Sequence, residues 1–154
     1  MSDQPTSIFV YSTLKRGQCR ERCWPRKPQR IEPATVRGAL YDLGACPALA
    51  AGDDCVAGEL WHLAPEDLLP TLFELDRVEG FRGRAGDLYE RVTITCQTAT
   101  GSRQAWTYRF ARCEQLKSSQ RIAPNPNTGQ THWPQPVSPV LVRFHFRCSG
   151  IRSA

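Results

Sequence analysis

The sequence predicts an α+β protein in which a small, sharply coiled β-sheet dominates and helix is brief. Three observations carry this. The pattern V-x-G-x-L-aromatic-x-L occurs twice, at 36–43 and 56–63, and a glycine inside a strand marks a bend or bulge. Strands marked in this way are what a small closed sheet requires. Two further runs rich in β-branched and aromatic residues, 88–97 and 103–111, flank Ala99-Thr100-Gly101-Ser102, a hairpin signal. Helix-start chemistry is found at Pro65-Glu66-Asp67, where proline suits the first helical position and the carboxylates suit the positive end of the dipole.

Taken in order, Ile8-Phe9-Val10-Tyr11 reads as a first strand running into Ser12-Thr13-Leu14-Lys15-Arg16-Gly17, which has turn chemistry. Such a junction can aim successive backbone N–H groups at one point and hold an anion; a plain strand followed by a surface turn accounts for the same pattern. Residues 15–33 read as a long polar connection, interrupted by Pro25, Pro28 and Pro33. The two glycine-marked strands are joined through 44–49 and a turn at Gly52-Asp53-Asp54. After the helix start, Pro70 is expected to break or re-initiate the helix. Leu72, Phe73, Leu75 and Val78 then form an apolar face, and Gly80 ends it. Within the strand at 88–97, Tyr89, Arg91, Thr93 and Thr95 share one face and Val92 and Ile94 the other. Residues 118–136 read as irregular. The alternation of Val140, Val142, Phe144 and Phe146 with Leu141, Arg143, His145 and Arg147 predicts a last strand.

Composition bounds the function. The chain has 154 residues, 40% hydrophobic and 23% charged, which predicts one folded domain over 1–154 rather than a disordered chain. No apolar run approaches the roughly 20 residues that cross a bilayer. Met1-Ser2-Asp3-Gln4-Pro5 has neither a basic nor an apolar leader region, so a soluble cytoplasmic protein is expected. Seven scattered cysteines predict free thiols. Cys19 and Cys23 have a spacing compatible with zinc, but no second pair or histidine pair accompanies them, and no metal is expected. The net charge of +5 is concentrated in Lys15, Arg16, Arg20, Arg22, Arg26, Lys27 and Arg30. Such a patch could contact phosphates. Without a nucleic-acid module motif, a solvated loop or a rim steering an acidic small molecule is favoured, and no nucleic-acid partner is expected.

A second place for chemistry is Leu75-Asp76-Arg77-Val78-Glu79-Gly80-Phe81. Asp76 and Glu79 are three positions apart and lie on adjoining parts of one helix face. Surface pairing explains both. A glutamate at a helix C-terminus is electrostatically unfavourable, however, and beside Val78 and Phe81 its pKa would rise on burial, as general acid–base chemistry near neutrality requires.

The residues F-V-Y-S-T-L-K-R-G at the N-terminal strand resemble the F-V-Y-G-T-L-x-x-G signature of the gamma-glutamylcyclotransferase-like family, which includes the AIG2-like proteins. Further matches follow in the family's order: V-x-G-x-L-Y-D-L-G-x-x-P-A-L at 36–49, V-x-G-E-L-W at 56–61, L-D-x-x-E-G-F at 75–81, Y-x-R-x-x-I at 89–94 and A-W-T-Y at 105–108. Together they cover 8–111 and leave 118–154 unmatched. The resemblance implies a mixed α/β fold around a small β-barrel flanked by short helices, with no metal or organic cofactor. It places the substrate loop on Tyr11, Ser12, Thr13 and Leu14 and the catalytic glutamate on Glu79. It implies release of 5-oxoproline from γ-glutamyl amines or γ-glutamyl amino acids. Tyr89 and Arg91 are candidates to line the substrate site, although core packing or a surface pair explains them equally well. The signature glycine is Ser12 here. If that position needs a left-handed backbone, serine costs roughly 1–2 kcal/mol; if the glycine admits substrate, the hydroxymethyl group intrudes. A non-catalytic member binding a metabolite or protein partner is the alternative. The leaving amine and the oligomeric state are not legible.

Overall fold

Alternation along the first strand sets the architecture. In the computed structural model, which describes residues 4–134, all of β1 (Ser7–Val10) is buried. Phe9 and Tyr11 point into one core cluster with Val36, Leu40, Val56 and Leu60. Ile8 and Val10 point into another with Trp61, Leu68, Leu72 and Leu75. Because β1 is covered on both faces, it reads as a continuous apolar run rather than an alternating one.

Five strands close around the first cluster. β2 (Arg30–Asp42), β3 (Pro47–His62), β4 (Tyr89–Thr98) and β5 (Gly101–Phe110) follow β1, and the sheet order is β1-β5-β4-β2-β3, with β3 pairing back onto β1. The pairing of β1 with β5 is parallel and the other pairings in the barrel are antiparallel, so the barrel is mixed. A two-residue β6 (Gln130–Thr131) adds in parallel to β3 outside the closed ring. The expected small mixed β-barrel is the observed fold, and the short helices expected to flank it are one α-helix and several 3₁₀ turns.

The glycines of the repeated pattern permit close approach. A Cβ on Gly58 would lie 2.4 Å from the Val10 carbonyl oxygen and 2.6 Å from the Phe9 ring. Gly38 sits at a bulge: it pairs with Asp54, whereas Ala39 pairs with Ala50, so residues 51–53 of β3 have no partner in β2. This corrects the expected turn at Gly52-Asp53-Asp54. The real reversal is at 43–46, where Leu43 N–H donates to the Cys46 carbonyl and Gly44 takes a left-handed φ of 98°. The strands continue past the bulge because Ala39–Asp42 still have Pro47–Ala50 opposite them.

The polar connection also differs from expectation. β2 begins at Arg30 and includes Pro33, which precedes the bridge to β4 at Thr35↔Gln97. A proline is tolerated where a strand has only one ladder to satisfy. Upstream, Glu21–Cys23 form one 3₁₀ turn, and Trp24 stacks on Trp61 with centroids 4.0 Å apart.

A 3₁₀ turn at Pro65–Asp67 leads into α1 (Leu68–Glu79), which runs through Pro70 without a break. Pro70 lies in the first turn, where its missing N–H would have had no intrahelical partner. Leu68, Thr71, Leu72 and Leu75 are the buried face, whereas Phe73 points to solvent, contrary to the expected stripe. Residues 118–134 are largely irregular, yet Ile122 and Trp133 are buried in the barrel cluster. The strand expected at 140–147 lies outside the described residues.

Candidate active site

The turn leaving β1 is held from several sides. Arg20 N–H donates to the Thr13 carbonyl at 2.8 Å and Lys15 N–H to the Ser12 carbonyl at 3.2 Å. The Trp24 indole N–H donates to the Leu14 carbonyl at 2.9 Å. The buried Tyr11 hydroxyl donates to the Tyr108 carbonyl at 2.5 Å. Burial holds the Tyr11 phenol protonated, raising its pKa well above the ordinary value, with the nearby Glu79 acting in the same direction. No described residue other than glycine has a positive φ, so Ser12 carries no left-handed strain. Its hydroxyl oxygen instead accepts the Thr13 N–H.

Glu79 is the last residue of α1, and Gly80 caps the helix with φ 73°. The Gly80 N–H donates to the Arg77 carbonyl and the Phe81 N–H to the Asp76 carbonyl, which turns the chain away and leaves the Glu79 carboxyl facing the β1 turn. Its side chain is 15% exposed and pairs with the Arg20 guanidinium at 3.2 Å. Desolvation raises the Glu79 pKa from its ordinary value, and Arg20 opposes the rise.

Tyr11, Ser12, Thr13, Glu79 and Tyr89 line one cavity of about 490 Å³. Chain segments far apart in sequence thus meet at one end of the barrel. The Tyr89 hydroxyl donates to the Pro47 carbonyl at 2.9 Å and lies 3.3 Å from Cys46 Sγ. Burial raises its pKa, and the Cys46 contact adds to the effect. Two candidates do not line that cavity. Leu14 packs in the outer cluster and borders a small recess that Tyr11, Ser12 and Glu79 also line. Arg91 Nε pairs with Asp76 Oδ1 at 3.0 Å, and its guanidinium covers the Trp106 ring at 4.8 Å. Asp76 also accepts the Tyr108 hydroxyl at 2.6 Å, so the two carboxylates of 75–81 diverge: Asp76 ties the helix to β4 and β5 while Glu79 faces the cavity.

Sequence reasoning did not single out several lining residues, among them Arg20, Cys46, Arg82, Arg84 and Asp87. Arg20 carried a signal, being part of the basic run; the loop after Phe81 carried only its alternation of arginine and glycine. Among the described residues, no group of three or more His, Cys, Asp or Glu side chains could hold a metal ion, and no helix is long and apolar enough to cross a membrane.

Comparison with known proteins extends this picture. The family model described as gamma-glutamyl cyclotransferase, AIG2-like, matches residues 8–129. The gamma-L-glutamyl-butirosin B gamma-glutamyl cyclotransferase of Niallia circulans is 28% identical over 113 residues, covering 73% of this chain and 71% of its own. A putative gamma-glutamylcyclotransferase of Vibrio cholerae is 34% identical over 113 residues, covering 72% of this chain and 87% of its own. Among solved structures, an AIG2-like protein from Mus musculus superposes with a TM-score of 0.54 at 22% identity, over 86% of this chain and 98% of the mouse chain. YkqA from Bacillus subtilis gives 0.52 at 19% identity over 70% of this chain, which spans 36% of the YkqA length.

Proposed function

Because the chain belongs to the gamma-glutamyl cyclotransferase, AIG2-like family, we propose that it releases 5-oxoproline and an amine from γ-glutamyl amines or γ-glutamyl amino acids, with Glu79 as the proton shuttle. The observation that carries this reading is the Glu79 carboxyl, buried with a raised pKa, on the wall of a cavity whose other walls include Tyr11, Ser12 and Thr13.

The reaction needs no nucleophile from the protein. The substrate's own α-amine attacks its γ-carbonyl carbon, a C–N bond closes the five-membered lactam, and the C–N bond to the leaving amine breaks. Holding the substrate in the reactive rotamer is the larger task, and well-oriented intramolecular reactions reach effective molarities on the order of 10⁵ M or more. Closure takes the α-nitrogen from ammonium to lactam N–H, so two protons leave it, one before attack and one from the tetrahedral adduct. Ionised Glu79 takes each in turn and returns it to the departing nitrogen, which leaves as an ammonium. Burial raises its pKa, which moves its conjugate acid toward the strength that proton donation near neutrality asks for, and Arg20 favours the ionised form that starts the cycle. Backbone N–H groups of the β1 turn hold the substrate carboxylate or the developing oxyanion.

One observation favours a second reading, in which the fold binds a small metabolite or protein partner without turnover. The Ser12 hydroxyl accepts the Thr13 N–H, so one amide of the turn has a partner within the chain. The test is 5-oxoproline release across γ-glutamyl amines and γ-glutamyl dipeptides. Release supports the first reading; tight binding with no release supports the second.

A further inference from the structure

The loop between α1 and β4 is built to present two arginines to the cavity. The Asp87 carboxylate accepts the backbone N–H groups of Arg82 at 2.8 Å and Arg84 at 3.0 Å. Gly83 between them takes a left-handed φ of 74°, Asp87 N–H donates to the Arg84 carbonyl, and Arg112 Nη2 donates to the Ala85 carbonyl at 2.7 Å. The loop is therefore wound around one carboxylate and tied to the chain beyond β5. Both arginines line the cavity, and among the described residues neither guanidinium has an ion-pair partner. The third arginine of the lining, Arg20, is already paired with Glu79. The cavity lining thus sets three arginines against the Glu79 and Asp87 carboxylates, Arg82 acting electrostatically on Asp87, and keeps a surplus of one positive charge.

Resting on the cyclotransferase reading, we propose that Arg82 and Arg84 select the leaving group: the site takes γ-glutamyl conjugates whose amine carries an anionic substituent, a carboxylate or a phosphate. The shared glutamyl end lies against the β1 turn and Glu79, and the departing amine extends toward the 82–87 loop. Guanidinium forks bind both anions in bidentate fashion and repel an amine carrying a second cation.

The experiment uses conjugates that differ only beyond the amide: γ-glutamyl-propylamine, γ-glutamyl-β-alanine, γ-glutamyl-phosphoethanolamine and γ-glutamyl-putrescine. Binding is measured by calorimetry to the full chain carrying Arg20→Gln and Glu79→Gln, which removes that ion pair as a unit, with and without Arg82→Gln and Arg84→Gln. Both arginines are exposed, so their replacement leaves the core intact, and circular dichroism checks this. The expected result is that the carboxylate or the phosphate conjugate binds ~10-fold tighter than the propylamine conjugate and the putrescine conjugate binds weaker. This spread collapses to about twofold in the double arginine variant. The stronger of the two anionic arms identifies the substituent. Equal affinities, preference for putrescine, no binding by any conjugate, or equal weakening of all four in the arginine variants would overturn the proposal; the last would mean that the arginines hold the common glutamyl carboxylate. Turnover does not enter this readout, so failure to release 5-oxoproline with the binding spread intact sinks only the cyclotransferase reading.

Discussion

The Arg20 guanidinium stands 3.2 Å from the Glu79 carboxylate, although one comes from the polar loop after β1 and the other from the end of α1. Burial raises the Glu79 pKa and Arg20 pulls it back. If ionised Glu79 is the base, the acid limb of kcat/KM follows that pKa. Arg20→Gln removes the opposing charge, so the limb moves to higher pH, and activity falls more at pH 6 than at pH 8. Rates of 5-oxoproline release across pH 5–9 check this. An unmoved limb, or one displaced to lower pH, contradicts the assignment.

The same burial makes a stability prediction. A carboxyl whose folded pKa lies above its unfolded value holds more proton in the folded state between the two, so stability falls as pH rises through that window. Glutamine has no charge to desolvate, and Arg20, 44% exposed, loses little when its partner is neutral. Glu79→Gln should therefore raise Tm at pH 8 and leave it nearly unchanged at pH 4. Thermal melts at the two values decide. A lower Tm at pH 8 means the carboxylate stabilises the fold.

Much of the barrel was legible because its steric requirements are local. Val36-Arg37-Gly38 and Val56-Ala57-Gly58 announce strands that bend or crowd a neighbour, and Gly80 marks the end of a helix. Hidden features depend on partners distant in sequence. Gly52-Asp53-Asp54 has turn composition, yet the continuing pairing of Ala39–Asp42 with Pro47–Ala50 keeps it inside β3 as part of a bulge. Phe73 fits an apolar stripe by spacing, but the barrel meets the face of Leu68, Leu72 and Leu75. At the candidate site, the meeting of the β1 turn with Glu79 followed from motif resemblance rather than from periodicity. Core packing or a surface pair explains Arg91 as well as a place at the site does, and only the fold reveals that Asp76 captures it.

Gly58 supplies a packing prediction. The nearest contact of a Cβ there is a backbone oxygen of β1 at 2.4 Å, which cannot rotate aside. At Gly38 the nearest atoms are at 3.0 Å, one of them the end of the Leu49 side chain. Gly58→Ala is expected to cost ~3 kcal/mol or more and Gly38→Ala ~1–2 kcal/mol. Urea midpoints measure both, and equal losses contradict the argument.

Asp76 offers a contrast with its neighbour on the helix. It accepts the Tyr108 hydroxyl and pairs with Arg91, and both ionic side chains are largely buried. Asp76→Asn leaves the Arg91 charge without its partner and is expected to destabilise by ~2–4 kcal/mol. Tyr108→Phe removes one hydrogen bond to a charged acceptor, for ~1.5–3 kcal/mol. Denaturant unfolding of the two variants ranks them; a neutral Asp76→Asn excludes the anchoring role.

The central claim is that the Glu79 carboxylate moves the protons during lactam closure. The most direct measurement is single-turnover release of 5-oxoproline by the native chain and by Glu79→Gln, each saturated with the same γ-glutamyl conjugate. The account predicts a ~10²–10⁴-fold slower step in the variant with the conjugate still bound. Release at the native rate from Glu79→Gln would contradict it.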